Sequence, residues 1–91
     1  MKKKKIIRTA REIRKQIKGL SLPVSKKLAK CYLEGLEADF LDILRQNGFT
    51  YEAVTKSYCP YDFQPLGYYI IYKDEKEKGK INFDCCGLYL D

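Results

Sequence analysis

The chain has 91 residues and a formal net charge of +6, from 18 Lys+Arg against 12 Asp+Glu, and it has no histidine. That length fits one domain with a modest core, and a composition that is 45% apolar and 33% charged reads as a globular rather than a disordered chain. No apolar run nears the ~20 residues that cross a bilayer. The basic start at residues 1–5 is followed by only Ile6 and Ile7 before Arg8, too few for a secretion signal, so the expected location is cytoplasmic.

Residues 1–8 read as a basic tail and residues 9–91 as a single α+β domain. Thr9-Ala10-Arg11-Glu12 has the spacing of a capping box, in which each side chain can satisfy a backbone N–H of the first turn. From there Ala10, Ile13 and Ile17 recur at helical spacing, and Ile6 extends the stripe backwards. Arg8, Arg11, Arg14, Lys15 and Lys18 fall on the opposite face. Gly19 suits the left-handed position that ends such a helix.

A second helix is expected to begin near Pro23, with Ser21 as its cap. Val24, Leu28, Cys31 and Tyr32 form its inward stripe, and Lys26, Lys27 and Lys30 project away. Beyond Gly35 a third segment, 36–47, directs Leu36, Phe40, Ile43 and Leu44 inward and Glu37, Asp39 and Asp42 outward; Asn47-Gly48 is a stop signal. Gly35 leaves two arrangements open for this part, one bent rod or two helices.

After Gly48 the period changes. Residues 49–58 fit a strand or a short helix, and 59–67 read as a loop because of Pro60 and Pro65. Tyr68-Tyr69-Ile70-Ile71-Tyr72 is rich in β-formers, and residues 81–85 alternate strictly. A hairpin of about 67–73 with 80–86 follows, with the polar run 73–80 as its loop and Gly79 near the loop's end. The expected fold is α+β, with two or three N-terminal helices packed on a small C-terminal antiparallel sheet.

Catalytic chemistry finds little support in these residues. Without histidine the commonest general base is missing, together with the usual partner for a Ser or Cys nucleophile. Neither the P-loop nor the dinucleotide-binding glycine pattern occurs. Cys31, Cys59, Cys85 and Cys86 lack the C-x-x-C spacing of a zinc site and read as buried free thiols. The chain therefore reads as non-enzymatic, with no metal and no cofactor.

Binding chemistry is better supported. Residues 1–30 hold twelve basic side chains and one acid, Glu12, a local charge of +11; residues 31–91 carry −5. That asymmetry points to an anionic partner, nucleic acid or a nucleoprotein, for Arg8, Arg11, Arg14, Lys15, Lys18, Lys26, Lys27 and Lys30. A second candidate surface is either the sheet tyrosines Tyr68, Tyr69 and Tyr72 on one strand or the acidic helix of Glu37, Asp39 and Asp42. It suits a protein partner, and aromatics on a sheet also stack unpaired bases. A homodimer joining the basic face of one copy to the acidic face of another is a third possibility, and no membrane contact is expected.

Residues 9–34 resemble a helix-turn-helix in outline: a short helix, a turn with Gly19 and a second helix with exposed lysines. The chain departs from that pattern in having Arg14 or Lys15 where the family has a small residue. Ser25, Lys26, Lys27 and Lys30 also suit phosphates better than base edges. The segment Gly19-Leu20-Ser21-Leu22-Pro23-Val24-Ser25-Lys26-Lys27-Leu28-Ala29-Lys30 resembles the G-L-x-[FL]-P-V-x-x-K-x-A-K stretch of small phage and mobile-element proteins of Gram-positive bacteria. The resemblance implies a setting in which small proteins bind DNA-processing or host-defence machinery. It extends the protein-partner reading to an inhibitor of a host defence nuclease, of the anti-CRISPR type.

Overall fold

In a computed structural model of the chain, described for residues 2–61, 63, 65–84 and 87–89 and for the side chains of 9–61, 63 and 65–82, three helices precede an antiparallel sheet. Helix α1 spans Lys2–Gln16, α2 Leu22–Glu34 and α3 Glu37–Gln46. Strands β1 (Thr50–Tyr58), β2 (Pro65–Lys73) and β3 (Lys76–Asp84) form a meander, and a short β4 (Gly87–Tyr89) continues it in the order β1-β2-β3-β4. The expected α+β arrangement of N-terminal helices and C-terminal sheet is what the chain adopts.

The apolar stripes do what their spacing requires. Ala10, Ile13 and Ile17 are completely buried, as are Leu28 and Leu44 on the other two helices and Ile71 and Ile81 on the sheet. Covering a side chain of this size contributes about 1.5–3 kcal/mol relative to leaving it in water. These residues join Phe40, Leu41, Phe49 and Tyr69 in one core between the helices and one face of the sheet.

Helix α1 starts earlier than the capping box predicts. It runs back to Lys2, so Thr9 lies within the helix, is buried, and does not cap it. The side chains of Ile6 and Arg8 lie outside the described residues. Helices α2 and α3 are separate. Gly35 adopts φ 70°, and the Leu36 N–H donates to the Cys31 carbonyl at 2.9 Å, the bond that closes a helix at a left-handed glycine. Leu36 accordingly sits at the break, 42% exposed, rather than in the inward stripe of α3; Leu41 is buried in that stripe.

Residues 49–58 resolve as a strand, because β1 pairs with β2 from Thr50↔Tyr72 to Tyr58↔Pro65. Pro65, Leu66 and Gly67, read as loop, belong to β2. The hairpin loop is also shorter than the run 73–80. Lys73 pairs with Lys76, leaving Asp74 and Glu75, with φ 54° and 64°, as a two-residue turn. Positive φ at both central residues is the backbone that a tightly twisted hairpin demands. β3 therefore begins at Lys76, and Gly79 is a strand residue. Cys85 and Cys86, at the expected end of the hairpin, lie outside the described residues.

Gly79 has a packing reason. The register slips between Ile71 and Tyr72, which leaves Lys78 as an extra residue on β3. Its carbonyl accepts a bond from the Lys18 N–H at 2.9 Å, and Ile17 bridges to Gly79. A Cβ on Gly79 would stand 1.7 Å from the Gln16 carbonyl oxygen. The end of α1 is thus joined to the sheet backbone to backbone, and only glycine admits the approach.

Candidate nucleic-acid interface

Arg11, Arg14 and Lys15 on the C-terminal half of α1, Lys18 just beyond it, and Lys26, Lys27 and Lys30 on α2 are all exposed. The core stripe determines this arrangement, since Ala10, Ile13 and Ile17 turn α1 inward and Ser25, Leu28 and Ala29 turn α2 inward. Lys26 and Lys30 are one turn apart on α2, as are Arg11 and Lys15, or Arg14 and Lys18, along α1. Ser25 does not join them. It is fully buried, and its hydroxyl donates to the Leu22 carbonyl at 2.9 Å. Among the described residues Arg45 pairs with Asp42 on α3, and none of the seven cations is paired with a carboxylate of those residues.

The second candidate surface divides. Tyr69 is 8% exposed and lies on the helix side of the sheet, where its hydroxyl donates to Glu37 Oε2 at 2.9 Å and its ring meets Tyr51 edge-on at 5.5 Å. Burial, with the Glu37 bond beside it, pushes the Tyr69 phenol far above its ordinary range. Tyr69 and Glu37 are therefore parts of the α3–sheet contact and not of an open binding surface. Asp42 is held by Arg45, and Asp39 is exposed.

Tyr68, Ile70 and Tyr72 point the other way, onto the face that the helices leave open, and all three are partly exposed. Opposite charges surround the two tyrosines. The ammonium groups of Lys56 and Lys80 lie 5.7 and 5.4 Å from the centre of the Tyr68 ring. The phenol of Tyr72 is instead raised by desolvation and by the nearby carboxylates of Glu52 and Glu77.

The sequence pattern did not single out Lys56, Lys80, Tyr58, Tyr61 or Phe63, yet Tyr58, Tyr61 and Phe63 are 63%, 93% and 77% exposed. The signal was present, as aromatics crowded around Pro60, but their exposure depends on how the β1–β2 connection folds. Buried Cys59 anchors that connection, and the Phe63 N–H donates to the Cys59 carbonyl at 2.9 Å. Cys31 and Cys59 are buried free thiols. Burial raises the Cys31 thiol, with Asp39 and Glu34 adding to the effect, so it is protonated at neutral pH. Among the described residues no group of three or more Cys, Asp or Glu is placed to hold a metal ion, and no helix is long and apolar enough to cross a membrane.

The chain matches no known protein family, no curated protein and no solved structure.

Proposed function

We propose that the protein is a non-enzymatic module that engages nucleic acid, or a nucleoprotein, through the outer surface of α1 and α2. The observation that carries this reading is the set of seven exposed cations, Arg11, Arg14, Lys15, Lys18, Lys26, Lys27 and Lys30, none of them paired with an acid among the described residues. Unneutralised charges gathered on one surface attract a polyanion at no cost in broken ion pairs. Binding then releases counterions from the phosphates and falls steeply with salt. Lys26, Lys27 and Lys30 on α2 grip phosphate as point charges and suit base edges poorly, so the preference that this helix shows among duplex sequences is weak.

Replacing Lys26, Lys27 and Lys30 together by Glu tests the reading. The expected result is loss of duplex binding at low salt, with the helical circular dichroism signal retained. The unaltered protein is expected to lose on the order of 10³-fold in affinity between about 50 and 200 mM salt. Binding that survives the charge reversal would move the interface elsewhere.

A further inference from the structure

We infer that the open face of the sheet carries a stacking site for an unpaired base of single-stranded nucleic acid, centred on Tyr68 and separate from the basic helices. The inference rests on the reading of the protein as a nucleic-acid binder. It names a second contact and the class of strand that this contact selects.

Three observations meet at one end of the sheet. The first is Tyr68 itself, an aromatic on the uncovered face with cations reaching it from both neighbouring strands. The second is a shallow depression of about 340 Å³, lined by Lys56, Ser57, Leu66, Gly67, Tyr68 and Asn82. That volume lies at the low end of the ~300–1,000 Å³ usual for small-molecule sites, and the lining combines a ring, cations, a hydroxyl and an amide. Gly67 lines the depression without a side chain, and a Cβ there would stand 1.9 Å from the Val54 carbonyl oxygen of β1. The third is the adjoining rim, where Tyr58 ends β1 and Tyr61 and Phe63 follow it, all exposed. Phe63 holds φ 60° while its ring gains little burial. A bulky residue in that conformation is strained by on the order of 1–3 kcal/mol, a cost that recurs at functional sites.

Charge selects the occupant. An aromatic surface beside lysines complements a base linked to phosphates, and every base has a face to stack whatever its sequence. The lysine–ring contacts are weak at an exposed site, weaker than base stacking. An arriving base therefore displaces the ammonium groups from the ring toward the flanking phosphates. The same argument excludes the other end of the strand, since the carboxylates near Tyr72 repel phosphate. A duplex hides its base faces and cannot use the site.

The test compares affinities for a ~10-nucleotide oligothymidylate, the matching oligouridylate, an abasic strand of equal charge and a duplex, each fluorescently labelled. Tyr68→Ala is expected to weaken both single strands by about 5- to 150-fold and to leave the duplex unchanged. Tyr68→Phe should bind like the unaltered protein, as should Tyr72→Ala. The abasic strand should bind the unaltered protein and Tyr68→Ala alike. Should alanine perturb the strand, Tyr68→Leu keeps the apolar volume without the π face and is expected to show the same selective loss. Equal single-strand binding by Tyr68→Ala or Tyr68→Leu and the unaltered protein would overturn the stacking site while leaving the helical interface standing. Single-strand binding that needs Tyr68, together with duplex binding that survives reversal of Lys26, Lys27 and Lys30, would instead remove the helical interface and keep this site. If no strand and no duplex binds at low salt, both fall.

Discussion

Tyr68 and Tyr69 are neighbours in the chain with opposite fates, and the difference is a matter of which side of the pleat meets the helices. Tyr69 faces α3 and shares its hydroxyl proton with Glu37. Its folded phenol holds that proton more tightly than an unfolded tyrosine, whose pKa is about 10. The stabilisation is therefore complete below pH ~10 and is lost progressively as alkali draws the proton from the unfolded chain first. Chemical denaturation at a series of pH values should show stability declining above pH ~10, and Tyr69→Phe should flatten that decline. The alternation of two faces was legible in Tyr68–Tyr72. Which face would be covered was not, because period two is symmetric until the helices choose a side. Glu37 misled for a related reason: an acid on a polar helix face gives no sign that a tyrosine distant in sequence will reach it.

The elements follow their apolar spacing closely, and their ends do not. Helical periodicity in α1 and α2 predicted inward Ala10, Ile13, Ile17, Val24, Leu28, Cys31 and Tyr32; all are buried in the core except Val24 and Tyr32, which pack half-buried against it. Local turn chemistry was less reliable where distant contacts intervened. Gly79 looked like a loop residue after a polar run, yet its lack of a Cβ serves the approach of Gln16 from α1. Gly79→Ala is expected to cost roughly 3 kcal/mol, because the obstruction is backbone and cannot rotate aside. Gly19→Ala is the contrasting case. Nothing lies within 4 Å of its missing Cβ, so only the left-handed backbone is strained, at about 1–2 kcal/mol. Urea midpoints of the two variants measure the difference, and a Gly79→Ala protein as stable as Gly19→Ala would contradict the account.

On the scale of the molecule, helices and sheet make two layers whose outer surfaces differ in character. The outer surface of α1 and α2 is basic, whereas the open sheet surface is cationic around Tyr68 and acidic around Tyr72. The charge asymmetry along the chain foretold the first surface; the second emerges only when β1 and β3 bring Lys56 and Lys80 to the same ring. Strand β1 forms one edge of the sheet, nine residues long and with most of its side chains exposed. Such an edge invites pairing with another chain unless charges guard it, and exposed Glu52 and Lys56 are placed to do so. Replacing both by Val should raise the weight-average mass with concentration in sedimentation experiments, relative to the unaltered protein at the same concentrations.

The seam between α1 and β3 also fixes an order of events during folding. Ile17 and Lys18 find their backbone partners at Gly79 and Lys78, late in the chain, so the end of α1 is tied to the sheet only once β3 exists, although α1 packs chiefly on α2. A nascent chain leaving the ribosome carries its basic, amphipathic N-terminal helix without its sheet partner until β3 has been synthesised. During that interval the apolar stripe of Ala10, Ile13 and Ile17 lacks its sheet cover, and chaperones or anionic surfaces can compete with the sheet for the same segment.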